Sequence, residues 1–215
     1  MSNKKTLILI GAFIAVSIAA SLILSGRMPE TMATHWDELG QANGYSSKTF
    51  GLFFTPAMQL GLAALLFFVP MIDPRRENIR KFRGIYNGFL AIIMGFFTYV
   101  HVLSLAWNLG IKVDFMTWMI PAFAVLFFAA GSMISRAEPN FFIGIRTPWT
   151  LSDNTVWQKT HAVGGWAFKA SAVISLLGML FPGQTIWFML VPVMASALGL
   201  VVYSYVVYRQ LHPNT

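Results

Sequence analysis

The sequence predicts an all-α membrane protein, a six-transmembrane-helix bundle with both termini inside and a small outer cap loop. Three observations carry that expectation. Of 215 residues, 56% are hydrophobic and only 11% charged, with a mean hydropathy of +0.63; soluble domains carry about 25% charged residues. Six stretches reach the ~20 mostly apolar residues that a span requires. The basic residues divide unevenly between the segments that join those stretches. This hydrophobicity excludes a disordered chain. The absence of cysteine excludes disulfides and thiolate-bound zinc.

The first span is Thr6–Leu24. Lys4 and Lys5 precede it as they would precede a signal peptide, but the apolar run is long and no clean small-residue cleavage site follows before Arg27 and Pro29, so it is expected to stay as an anchor. The others are Phe50–Ile72, Tyr86–Leu109, Thr117–Ile134, Ala162–Phe181 and Thr185–Tyr208. With the N-terminus inside, the inner segments hold twelve basic residues and the outer ones three, Arg27, Lys48 and Lys112. That division follows the positive-inside rule and accounts for the net charge of +7. Attraction to anionic lipid adds to it, and no soluble domain presents the basic residues to nucleic acid.

Two joining segments are long, Ser25–Thr49 outside and Ser135–His161 inside. Asp73–Ile85 is a short basic inner segment, Gly110–Met116 is minimal, and Pro182–Gln184 is a bare turn. Small residues four apart, Gly11/Ala15/Ala19, Gly84/Gly88 and Ala195/Gly199, permit close helix approach. Pro56, Pro121 and Pro192 are expected to kink or begin helices. Trp107, Trp118 and Trp187 fall near outer span ends, as an aromatic belt would.

In the outer loop, Gly40 and Asn43-Gly44 mark turns. Thr34–Trp36 and the residues leading to Tyr45 are able to pair as a short β-hairpin across the Gly40 turn. The result is a compact cap, with Trp36 and Tyr45 at the interface. His35, Asp37 and Glu38 are metal-capable types, but one histidine beside two acids matches no established catalytic spacing. Ligand binding by the cap residues His35, Trp36 and Tyr45 is the stronger functional reading; a structural histidine is the bland one.

In the inner loop, Pro148 forces Thr147 toward an extended conformation. Ser152 or Asp153 caps a following helix. On that helix Trp157 and His161 share one face, which Gly164 and Phe168 continue, and Gly164-Gly165 gives a flat place for another helix or a ligand. Arg146 sits among apolar and aromatic neighbours. Its guanidinium requires a carboxylate, phosphate, carbonyl or ring face. It either snorkels to lipid or ties the loop to helix ends, or it anchors a ligand or cytoplasmic partner.

Inside the spans, Gln59 and His101 both fall on the order of 12–14 Å below the outer surface and are able to meet. His101, Ser104 and Asn108 share a helical face. Intramembrane polar groups are functional by default, with a hydrogen-bonded packing contact as the alternative. No acidic residue falls in mid-span, which argues against a carboxylate-driven transporter.

Two runs carry a resemblance. The outer Pro29…Thr34-His35-Trp36-Asp37…Gly40…Asn43-Gly44-Tyr45-Ser46-Ser47-Lys48 resembles the N-terminal domain of unknown function found in SdpI-type membrane proteins. The inner Asn140-Phe141-Phe142-Ile143-Gly144-Ile145-Arg146-Thr147-Pro148-Trp149-Thr150-Leu151…Val156-Trp157…Thr160-His161…Gly164 resembles the SdpI family signature. The resemblance implies an N-terminal domain over residues 1–72 and an SdpI-like domain over 73–215. It implies immunity to a secreted antimicrobial peptide toxin met on the outer face, and relay of its presence through a cytoplasmic transcriptional repressor. It places His35, Trp36 and Tyr45 toward the toxin. Asn140, Gly144, Arg146, Pro148, Trp149, Trp157 and His161 form the inner motif. No enzyme activity, cofactor or metal is implied. Two other functions stand beside this one: a small-molecule or peptide transporter using Gln59, His101 and Asn108, and a metal-dependent membrane enzyme using His35 or His161.

Overall fold

A computed structural model describes residues 1–181 and 183–213. Its elements are α1 (Asn3–Leu24), β1 (Thr31–Trp36), β2 (Ala42–Ser47), α2 (Lys48–Ile72), α3 (Arg76–Asn108), α4 (Phe115–Ile134), α5 (Pro148–Ser152), α6 (Asn154–Leu177) and α7 (Thr185–Leu211). Six of the helices are long and apolar enough to cross a membrane. Large apolar side chains such as Ile23, Leu65, Phe68, Val125 and Val202 point outward from them. That is the surface a bilayer requires, because the apolar solvent lies outside the bundle.

The expected spans are all present, with three differences. Helix α3 starts ten residues before Tyr86, absorbing most of the basic segment, because Arg76–Ile85 contains no proline and only one glycine to stop a helix. The helix expected after a Ser152 or Asp153 cap and the span placed from Ala162 are one continuous helix, α6, starting at Asn154, where the Asp153 carboxylate caps it by accepting from the Thr155 and Val156 N–H groups. Pro56, Pro121 and Pro192 lie inside continuous helices, and the non-helical interior residue falls at Phe82 of α3 (φ −114°, ψ 16°). Gln184 precedes α7 as expected, while Pro182 of that turn lies outside the described residues.

Helices α1, α2 and α3 pack on one another, and α4, α6 and α7 do the same; α3 and α4 join the two groups. The first group is organised around Ile10, Ile14, Ile79, Tyr86, Leu90 and Met94. In the second, α4 and α6 touch at glycines. A Cβ on Gly131 would meet the Gly165 carbonyl oxygen at 2.7 Å, and one on Gly165 would meet Ser135 Cβ at 2.5 Å. The flat Gly164-Gly165 surface is thus used for helix packing.

The chain direction alternates along these helices. The N-terminus, the α2–α3 turn, the α4–α6 segment and the end of α7 gather at one end, here the basic end. The antiparallel hairpin β1–β2 sits at the other, with Thr31 opposite Ser47, Ala33 opposite Tyr45 and Trp36 opposite Ala42, and register shifts on both sides of His35. Trp107, Trp118 and Trp187 lie at that hairpin end.

Candidate functional site

The hairpin is built by local turn chemistry and then clamped to the bundle. Asp37 Oδ1 accepts from the Leu39 and Gln41 N–H groups at 3.0 and 2.8 Å. Gly40 takes φ +73°, where its missing Cβ makes room for the Asp114 carboxylate. On β1, Met32 and Ala33 are buried. Asn108 at the end of α3 clasps that strand: its Oδ1 accepts from Ala33 N–H at 2.8 Å and its Nδ2 donates to Ala33 O at 3.0 Å. A side-chain amide thereby supplies the two bonds a neighbouring strand would. Trp36 stacks on Phe115 (centroids 3.8 Å, interplanar 7°) and meets Trp107 edge-on.

The hairpin leaves a cleft of about 150 Å³ against α2 and α3, lined by Thr34, Trp36, Phe50, Phe54, Thr55 and Ser104. The buried Trp36 Nε1–H has no hydrogen-bond partner among the described residues. Tyr45 is 58% exposed and His35 is exposed beside it on the hairpin. His35 Nδ1 is engaged by Asn43 Oδ1. His35, Trp36 and Tyr45 are therefore brought to one small structure: two of them face outward and Trp36 roots it.

At the basic end, the inner motif is an ordered knot. Asn140 is fully buried; its Oδ1 accepts from Phe142 and Ile143 N–H, and its Nδ2 donates to Glu138 O and Ile143 O. Gly144 takes φ +113°, and a Cβ there would collide with His161 Nε2. His161 Nε2 accepts from Ile145 N–H at 3.0 Å. A backbone N–H can only donate, so the ring proton sits on Nδ1, 2.8 Å from Trp157 O. Trp157 is 1% exposed, stacks on His161 at 3.9 Å and donates its indole N–H to Ala137 O. Thr147 is extended (φ −100°, ψ 162°) and forms a reciprocal capping box with Thr150 around Pro148. The Thr147 hydroxyl also meets Ser204 Oγ of α7 at 3.0 Å. Trp149 lies 5.1 Å from the Tyr205 ring. Arg146 is exposed and donates to Phe141 O at 2.7 Å, a bond within the loop itself.

Sequence reasoning missed Asp73. It is 2% exposed; Oδ1 accepts from Arg75 N–H at 2.6 Å and Oδ2 from Phe141 N–H at 2.9 Å, pinning the inner motif to the α2–α3 turn. Asn78 adds a bond to Pro139 O, and Arg75 lies over the Phe141 ring. The available signal was an acid-proline pair directly after a span, at the head of a basic segment. Asp153 carries a second tie, to His212 Nε2 at 2.9 Å. The Val156 N–H first, and then the His212 side chain, hold its carboxyl below the usual carboxylate range.

No hydrogen bond joins Gln59 to His101 among the described residues. Gln59 Nε2 donates to Met94 O and Thr98 Oγ1, and Ser17 Oγ also donates to Thr98 Oγ1. The Ser21 hydroxyl gives its proton to Leu52 O at 2.6 Å, so its oxygen accepts from His101 Nε2–H at 2.8 Å. Both residues are 0–1% exposed. They join α1 and α2 to α3, while Asn108 turns to the hairpin. The transporter set is thus divided among separate packing contacts. His35 and His161, the histidines of the metal-enzyme reading, lie at opposite ends, and both His161 nitrogens are engaged.

Six membrane-crossing helices with a hairpin at one end and a knotted motif at the other define a multi-pass membrane protein. Residues 136–204 match the model of the SdpI/YfhL protein family, and residues 12–60 match that of a domain of unknown function, DUF1648. The chain is 26% identical over 211 residues to the immunity protein SdpI of Bacillus subtilis (strain 168), covering 97% of this chain and 98% of that one. No solved structure matches it.

Proposed function

We propose that this chain is an immunity protein that protects its cell from a secreted peptide toxin, meeting the toxin at the hairpin end with both termini cytoplasmic. The observation that carries this reading is the near end-to-end likeness to immunity protein SdpI, which spans both the hairpin and the inner motif. The hairpin supports it physically. It offers an exposed aromatic in Tyr45 and a cleft lined with aromatics and hydroxyls. Relay belongs to the same proposal: the knotted inner motif presents Phe141, Phe142 and Arg146 outward at the basic end, a rigid aromatic-basic surface for a cytoplasmic repressor.

The test is a protection assay in a toxin-sensitive bacterium producing this chain, challenged with the secreted peptide toxin of an SdpI-type system. Wild type is expected to raise the tolerated dose. Tyr45→Ala with His35→Ala is expected to lose about tenfold, ~1.4 kcal/mol of toxin affinity. Arg146→Ala is expected to protect normally and lose only relay. Absence of protection at confirmed membrane expression overturns the reading.

A further inference from the structure

A second polar site lies at the basic end, beside the knot. A pocket of about 450 Å³ between the start of α1, the start of α3 and the end of α4 is lined by Met1, Lys81, Phe82, Gly84, Arg136 and Glu138, with Ile85 beside them. The Lys81 and Arg136 side chains are exposed and have no hydrogen-bond or ion-pair partner among the described residues. Glu138 offsets one of the two charges and leaves the pair net positive. Unpaired cations at a helix interface near the membrane surface suit a phosphate group.

Ile85 also lines a second, larger space. This is an apolar groove of about 640 Å³ between α3, α4 and α6, lined by Gly88, Phe89, Ile92, Pro121, Phe128 and Val173 among others. On α4 its lining runs from Ser132 to Pro121. The eleven helical steps between them rise about 16 Å, which matches one leaflet of a hydrocarbon core ~30 Å thick. A cationic pocket at the membrane surface thus opens onto a leaflet-deep apolar groove.

We propose that this composite site holds an anionic phospholipid, its phosphate between Lys81 and Arg136 and one acyl chain in the α3–α4–α6 groove. The groove favours lipid over a soluble phosphate, since a soluble ion would leave it empty. Gly88 lines the groove, and a Cβ on it meets nothing within 4 Å, so a side chain there enters the acyl space without straining the helix. The site is independent of toxin binding, and its test needs no toxin.

The experiment is native mass spectrometry of the full chain in detergent, titrated with phosphatidylglycerol or phosphatidylcholine of identical acyl chains. Wild type is expected to retain phosphatidylglycerol about tenfold more tightly, a difference of ~1.4 kcal/mol. Lys81→Ala with Arg136→Ala is expected to abolish that preference, and Gly88→Phe to weaken retention of both lipids. Lys159→Ala, an exposed cation outside the pocket, is expected to change nothing. Equal retention of the two lipids by wild type overturns the proposal. So does a surviving preference in the double variant, an equal loss in Lys159→Ala, or displacement of phosphatidylglycerol by inorganic phosphate or soluble glycerophosphoglycerol.

Discussion

Single residues fix the inner motif more firmly than its aromatic appearance suggests. Asp73 satisfies two backbone donors from segments far apart in the chain, Arg75 and Phe141. Hydrogen bonds to charged groups contribute about 1.5–3 kcal/mol each, and orphaned buried donors add a penalty. Asp73→Ala is therefore expected to destabilise the protein by ~2–4 kcal/mol, with Asp73→Asn milder because one acceptor survives. Thermal unfolding in detergent measures both, and limited proteolysis of residues 135–147 locates the loosened segment. Equal stability of all three proteins would remove Asp73 from this role. Gly144 is a second test at this scale. Its φ of +113° and its contact with His161 Nε2 leave no room for a Cβ. Gly144→Ala is expected to cost ~1–3 kcal/mol through backbone strain alone, and to break the Ile145–His161 bond as well.

Elements follow the same division between what patterns reveal and what contacts decide. Asn108→Ala removes both bonds between α3 and β1, and is expected to loosen the hairpin by ~1–3 kcal/mol. Hydrogen exchange should rise across Thr31–Ser47 while α4, α6 and α7 stay protected; unchanged exchange would contradict the clasp. That role was hidden in the sequence. The i, i+3, i+7 spacing correctly groups His101 with Ser104 and Asn108 on one face, but spacing does not say which partner each meets. The hairpin was legible because Gly40 and Asn43-Gly44 punctuate it locally. The Asp153 cap and the Trp157–His161 pair were legible because cap chemistry and a four-residue step are also local. Three features were not: the Asp73 link to Phe141, the Gln59–Thr98 bond and the α4–α6 contact at Gly131 and Gly165. Each is a long-range pairing, and a single sequence carries no register for those. The start of α3 was misjudged for another reason. A hydropathy window ends where charges begin, whereas a helix ends only where its backbone is interrupted.

For the whole molecule, the alternation of six spans puts the hairpin at one end and both termini at the other, and the charges sort with it. Twelve of the fifteen basic residues belong to the end that carries the termini and the inner motif. Loops rich in Lys and Arg stay cytoplasmic during insertion, so the hairpin is expected outside. The chain contains no cysteine, which makes any introduced thiol a clean reporter of sidedness. Tyr45 on the hairpin and Lys159 on the first turns of α6 are both exposed, so Tyr45→Cys and Lys159→Cys should fold normally. In intact cells, a membrane-impermeant maleimide is expected to label Tyr45→Cys and to reach Lys159→Cys only after permeabilisation. The reverse pattern would invert the molecule. It would move Tyr45 and the Trp36 cleft into the cytoplasm, where a secreted toxin does not arrive from outside. Immunity through the hairpin would then fail on topology alone, whatever the outcome of the protection assay.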